Sequence, residues 1–299
     1  MVMKSFQNAC SRLGVPIAVE KTEGPSTLLV FLGIEIDTQN MVLRLPERKL
    51  WDLTQLITAI LQKKKITLKT LQSLIGSLNF ACQVVKPGRA FIRRMIDATR
   101  GVTKPHHNIR VTQGIKADLD LWLGFLKYYN GVTVMPDLFW TSSDSLEFFT
   151  DSAGGREKGF GVYFRGHWAY GSWPTEWWKM GLLRNITFLE LFPVVVAVTI
   201  WGNRLQNKKL LFHIDNEAVV VVINKKTFKC AMVMTLLRKL VLITLRKNIL
   251  LIAVHIAGKK NVIADAISRC QWDKFRKLTP EADWIPAKIP PQVGMKCGL

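Results

Sequence analysis

The rhythm of hydrophobic and polar positions changes repeatedly along this chain, and each change predicts a different element. Phe6 to Leu13 is amphipathic at helical spacing and is stopped by Gly14-Val15-Pro16. Val30 to Ile36 alternates with the period of a strand, followed by a turn at Asp37 to Asn40 and a return strand at Met41 to Leu45. From Pro46 the spacing becomes helical. Pro46 suits a first helical turn, and Leu50, Leu53, Ile57, Ile60 and Leu61 fall on one stripe. Thr67 can cap a second helix carrying Leu71, Leu74, Ile75 and Leu78. Pro87-Gly88 ends it, and Ala90 to Thr99 and Ile115 to Tyr129 read as two more helices. The turn-rich stretch from Asn130 to Ser145 is the expected domain boundary.

The second half alternates between the two periods. An apolar run (Leu146, Phe148, Phe149) ends at Asp151, and a turn at Gly154-Gly155 leads to Gly159 to Phe164. Arg165-Gly166-His167 then turns the chain into Trp168 to Trp173, giving a three-strand meander. Helices are expected at about Thr187 to Arg204, Glu217 to Asn224, Ala231 to Lys247 and from about Asn261 onward. Strands are expected at Leu210 to Asp215 and Leu250 to His255. This order predicts an α/β fold, a mixed sheet with helices on its faces. Trp173, Trp177 and Trp178 read as core or edge packing.

The 299 residues suffice for two modest domains, and 48% hydrophobic content supplies their cores. The formal charge of +20 favours a polyanionic partner. No apolar run reaches the roughly 18–20 residues of a membrane span; the closest, Ile186 to Trp201, is interrupted by Glu190 and Pro193. The N-terminus has no signal-peptide pattern. The five cysteines (Cys10, Cys82, Cys230, Cys270, Cys297) form no CxxC pair and read as reduced thiols. An intracellular protein, cytoplasmic or nuclear, with nucleic acid and not a membrane as partner is the expectation.

Against this basic background four acids stand at element ends: Asp151, Glu190, Asp215 and Asp265. Each has a plain structural alternative. Asp151 can open a turn, Thr187-x-x-Glu190 has capping-box spacing, Asp215-Asn216 can cap a helix, and Asp265 can complement a helix dipole. Buried carboxylates are costly without a cation or a proton, and together the four suggest a metal site. An oxygen-only donor set selects two Mg²⁺ ions, or Mn²⁺, which suits phosphodiester cleavage with no small-molecule cofactor. Arg89, Arg93 and Arg94, expected on one helix, can track a phosphate backbone.

The surroundings of Asp151, the pair Glu190-Leu191, the pair Asp215-Asn216 and the segment from His255-Ile256-Ala257-Gly258-Lys259-Lys260-Asn261 to Ala264-Asp265-Ala266-Ile267-Ser268-Arg269 resemble the type 1 ribonuclease H domain of retrotransposon polyproteins. The resemblance covers roughly residues 144–270. It implies a ribonuclease H-like mixed five-stranded sheet with flanking helices. The four acids would be its catalytic, metal-binding residues, and His255 its mobile histidine for proton transfer or product release. Asn216 and Asn261 lie in the matching segments and are nucleic-acid-binding candidates.

Upstream, Phe31-Leu32-Gly33 resembles the stretch beyond a reverse transcriptase polymerase site, and residues 46–135 its helical thumb and connection. Gly14-Val15-Pro16-Ile17-Ala18, Arg44-Leu45-Pro46 and Phe275 to Asp283 are most similar to DIRS-type retrotransposons. The implied organisation is a palm remnant (1–45), thumb and connection (46–135), ribonuclease H-like domain (144–270) and tail (271–299). The paired polymerase aspartates would precede Met1, so polymerase activity is not expected, though association with a separate polymerase domain is. The implied function is metal-dependent hydrolysis of the RNA strand of RNA–DNA hybrids. The alternative is a catalytically inactive, nucleic-acid-binding or domesticated remnant. A recombinase or integrase of the same fold usually places its glutamate last; here it is second.

Overall fold

The computed structural model describes residues 2–128, 139–155 and 157–291. They separate into two units, residues 2–88 with 98–128 and residues 89–97 with 139–291. In the first unit, helix α1 (Val2–Arg12) precedes β1 (Leu28–Phe31), β2 (Ile34–Asp37) and β3 (Val42–Arg44), which pair antiparallel in that order. The single strand expected from Val30 to Ile36 is a hairpin instead. Leu32 and Gly33 both have positive φ, 49° and 77°, and this tight reversal turns one alternating run into two paired arms.

Helix α2 (Glu47–Leu61) buries Leu53, Ile57 and Ile60 and leaves Leu50 and Leu61 at the edge of the stripe. β4 (Lys65–Thr67) leads into α3 (Leu68–Ala81), where the Thr67 hydroxyl accepts the Thr70 N–H at 3.2 Å. Beyond Pro87-Gly88 the expected helix from Ala90 shortens to α4 (Arg93–Ala98). β5 (Asn108–Arg110) returns to pair with β4, and α5 (Gln113–Tyr128) packs on α2. The β4–β5 ribbon was not expected, because three residues are too few to show a period of two.

The second unit holds β6 (Trp140–Ser142), β7 (Phe148–Ser152), β8 (Gly159–Phe164), β9 (His167–Ser172), α6 (Thr175–Lys179), α7 (Ile186–Trp201) and β10 (Lys209–Ile214). It continues through α8 (Glu217–Lys225), α9 (Ala231–Arg246), β11 (Leu250–His255), α10 (Val262–Ser268) and α11 (Trp272–Leu278). Residues 89–97, expected within the helical region 46–135, belong here: the buried Arg238 of α9 donates its Nε–H to the Ala90 carbonyl at 3.2 Å.

Among the described residues, two three-stranded sheets stand where one five-stranded sheet was expected. One is antiparallel, β7-β8-β9; the other is parallel, β11-β10-β6. β6 lies in the stretch expected as a boundary, and a turn separates it from β7. Ser143 N–H donates to Leu211 O at 2.8 Å and Ser143 Oγ accepts the His213 N–H at 3.0 Å, which ends the pairing with β10. The chain then reverses through Glu147, whose φ is 46°. Phe148, edge-to-face with Phe212 at 4.9 Å and with Phe164 at 5.3 Å, joins the two sheets through side chains.

Every residue of β8 is buried because both faces are covered. Phe160 and Phe164 pack on α7 through Phe192 and Trp201, while Gly161 and Tyr163 meet α10 and α11. Trp173 and Trp177 are buried in this aromatic core, and Trp178 is partly exposed. Helix α7 with its following turn, Ile186–Leu205, is 20 residues long and apolar enough by composition to cross a membrane. That corrects the expectation that no run reaches such a length; two thirds of it is buried against the rest of this unit. Cys10, Cys82, Cys230 and Cys270 are free thiols, and Cys297 lies outside the described residues, as does most of the expected boundary at 130–145.

Candidate metal centre

Asp151 is carried on β7 opposite Gly161 of β8. A Cβ on Gly161 would lie 2.7 Å from the Ala264 carbonyl oxygen and from Ile267 Cβ. The bare backbone at this position therefore lets α10 sit directly on the sheet, and it brings Ser268 to Asp151. The Ser268 hydroxyl donates to Asp151 Oδ2 and also to the Asp265 carbonyl at 3.0 Å.

Glu190 comes from the buried side of α7. The capping-box reading of Thr187 and Glu190 is corrected here: the cap is Asn185, whose Oδ1 accepts the Phe188 N–H at 3.1 Å. Glu190 is thus free of the helix start, and Ser152 of β7 donates to it from both side chain and backbone. Asp215 follows β10 directly. Its neighbour Asn216 caps α8 by accepting the Val219 N–H at 3.1 Å, which turns the chain at that point. Carboxylate oxygens of Asp151, Glu190 and Asp215 lie within 4.8 Å of one another.

Burial is the largest influence on all three carboxyls, and it disfavours their charge. Asp151 is pushed up to about 7, by burial first and by Asp215 and Asp265 further, against the opposing Ser268 hydrogen bond. Glu190 is pushed up to about 8, again by burial and then by Asp151 and Asp215. Asp215 is raised by burial and by Asp265, while its own backbone N–H, Asn261 and His255 oppose the rise. Three desolvated carboxylates that repel one another are stabilised by a cation between them. Their donor set is oxygen only, which fits a hard divalent ion.

The fourth acid stands beside this group and not within it. Asp265 acts on Asp151 and Asp215 through its charge, but Arg269 Nε donates to its Oδ1 at 2.5 Å and Lys274 Nζ lies 3.6 Å from its Oδ2. His255 is exposed at the end of β11, paired in register with Ile214, the residue before Asp215. Asn261 is buried at 3% exposure; its amide donates to Thr150 O at 2.8 Å and bonds Asp215. It therefore ties β7 to Asp215 from inside the unit.

The arginines do not share one helix. Arg89 sits in the 3₁₀ turn Lys86–Phe91, and Arg93 and Arg94 open α4, with Arg93 bonded to Asp97 at 2.8 Å. Ser152, Ser268, Arg269 and Lys274 were not singled out from sequence. Helical spacing offered a signal for two of them, since Ser268 and Arg269 follow Asp265 by three and four residues.

No protein-family model matches the chain, and no curated protein matches it. Among solved structures it is similar to the foamy viral protease-reverse transcriptase dRH in complex with double-stranded DNA. That likeness has a TM-score of 0.30 and 14% identity, over 77% of this chain and 38% of that one. The chain thus spans well under half the length of that neighbour.

Proposed function

We propose that this protein is a metal-dependent endonuclease that hydrolyses the RNA strand of RNA–DNA hybrids. The convergence of Asp151, Glu190 and Asp215 in a strongly basic chain carries the reading. These three would hold the cation, with Mg²⁺ as the ion and two per site, and Asp265 would complete the set when released from Arg269. When bound, the ion supplies an activated water and charge stabilisation at the phosphate. Burial of Asp151 and partial burial of Glu190 disfavour their charges in the absence of a cation, and the same low-dielectric surroundings would strengthen their hold on one. Ser268 and Ser152 fix the carboxylates in place by donating to them. His255, exposed at the end of β11 beside the strand that leads to Asp215, would move a proton or help product leave.

The experiment is cleavage of an end-labelled RNA–DNA hybrid with Mg²⁺, duplex DNA serving as control. Wild type should cut the hybrid alone, and Asp215→Asn should not cut it. Equal cleavage by both would overturn the reading. One observation favours a second reading, a nucleic-acid binder without turnover: the Asp265 carboxylate is already engaged by Arg269 and Lys274. Salt-sensitive hybrid binding without metal-dependent turnover would establish it, and multiple turnovers would exclude it.

A further inference from the structure

Outside the carboxylate centre, the second unit carries an aromatic ladder on α11, β9 and the segment after α11. Tyr170 and Trp272 meet edge-to-face at 4.9 Å, and both reach Trp168, at 5.9 Å and 5.5 Å. The Arg276 guanidinium lies 5.5 Å over the Trp168 ring and 5.0 Å over that of Trp284. It also donates to the carbonyls of Ala282 (2.8 Å), Asp283 (3.0 Å) and Trp284 (3.3 Å), so the Trp284 backbone is tied down. Trp284 is nevertheless 86% exposed, and Tyr170 and Trp272 are 39% and 37% exposed. A tryptophan held on a guanidinium with its other side in water is a pre-ordered stacking surface, which costs little entropy to use.

The ladder shares helix α11 with a residue that reaches Asp265. Lys274, two residues after Trp272, lies 3.6 Å from Asp265. Of the nearby acids, Asp283 is turned to His167 at 2.6 Å and Glu281 accepts the Tyr163 hydroxyl at 3.3 Å. Lys277 is exposed on the same helix, Lys274 is exposed while paired with Asp265, and Arg276 lies against the Trp168 and Trp284 rings. Aromatic faces interleaved with cations bind unpaired bases, because every base has a π-face and every nucleotide a phosphate.

We propose that this ladder is a stacking platform for unpaired bases of a strand that runs on past the carboxylate centre, so that substrates with single-stranded overhangs are preferred. The proposal rests on the nuclease reading for its substrate, and its test does not depend on cleavage. The full chain in chelator is titrated by anisotropy against a blunt hybrid and against the same hybrid with an overhang. Wild type should bind the overhang form about tenfold more tightly, the scale of one stacked base. Trp284→Leu should remove that preference and leave blunt-hybrid affinity and melting temperature unchanged. Trp272→Leu, whose ring also packs on Trp168 and Tyr170, should remove it with a lowered melting temperature.

Equal wild-type affinity for the two forms would overturn the platform, as would an overhang preference that survives in both variants. If neither hybrid binds, quenching of tryptophan fluorescence by a single-stranded oligonucleotide decides: loss of quenching in Trp284→Leu supports the platform, and no wild-type quenching overturns it. Loss of Mg²⁺-dependent cleavage with a retained overhang preference would overturn the nuclease reading alone.

Discussion

Asp37 and Asp151 are almost equally hidden from solvent, at 7% and 5% exposure, and their surroundings drive their carboxyls in opposite directions. Asp37 closes the turn after β2. Its Oδ1 accepts the Gln39 and Asn40 N–H groups at 3.1 and 2.9 Å, and its Oδ2 accepts from the Asn40 amide at 2.8 Å and Arg44 at 2.7 Å. The Asn40 hydrogen bonds foremost, and the Arg44 charge last, hold its pKa below the usual value. Asp151 has Ser268 as its side-chain donor; burial first, then the charges of Asp215 and Asp265, raise it to about 7, and Glu190 and Asp215 stand within 4.8 Å of it. Burial raises an acid only where donors do not offset it, as the Asn40 hydrogen bonds do at Asp37. An acid whose neighbours repeat its charge lacks a partner that the chain does not supply, and that shortage points to an ion.

The largest expected effect separates the two aspartates by activity. Asp151→Asn or Asp215→Asn should lower Mg²⁺-dependent hybrid cleavage by at least about 100-fold, since residues one layer outside a metal already account for 10–100-fold. Asp37→Asn should leave turnover at the wild-type level and lower the melting temperature. A comparable loss of cleavage from Asp37→Asn would break the contrast. Next in size is stabilisation by the ion. Mg²⁺ or Mn²⁺ at about 100 times its Kd should stabilise the fold by about 2.7 kcal/mol, read as a rise in melting temperature. Glu190→Gln should lose most of that rise, and Asp37→Asn should keep it.

A smaller effect tests how the centre is assembled. Gly161→Ala places a Cβ against the α10 backbone and should destabilise by about 1–3 kcal/mol, the usual range for overpacking. It should also raise the Mg²⁺ concentration needed for half-maximal stabilisation, because α10 carries Ser268 and Asp265. Unchanged stability would refute the close approach of α10 to β8. The smallest effect is in pH. In chelator the folded Asp151 and Glu190 retain protons that the unfolded chain, at 3.8 and 4.5, has released. Stability should therefore fall as pH rises from about 4 towards about 8. Asp37 works the other way: its contribution is present above 3.8 and is lost as pH falls through its lowered pKa. Melting temperatures across pH should show a downward slope at neutral pH, flattened by Mg²⁺ or by Asp151→Asn with Glu190→Gln.

Much of the second unit was legible because its signals are local. β8, β10, β11, α8 and α9 fall within a residue or so of their expected bounds, and Thr67 caps α3 as its position suggested. The misses were places where a local rule competed with a distant contact. Thr187-x-x-Glu190 fits a capping box, but Asn185 took the cap and Glu190 turned to Ser152. Residues 140–142 read as part of the turn-rich boundary, yet they form β6 beside β10, where Ser143 bonds Leu211 and His213 more than sixty residues away. Residues 271–299 read as a tail, yet 272–278 form α11, with Phe275 buried against Tyr163 and Trp168.

By itself the sequence determined which residue types stand along the chain: acids at 151, 190, 215 and 265, a charge of +20, and the spacing that makes strands and helices of most segments. These follow from interactions within a few residues. Only the tertiary structure decided that three of the acids share a space of 4.8 Å while the fourth is engaged by Arg269. It also decided that Ser268 is the donor to Asp151 and that Gly161 is the gap through which α10 delivers it. Distances between residues more than a hundred positions apart depend on how helices seat on sheets. That is set by close packing of whole side chains, a property no short window of sequence contains.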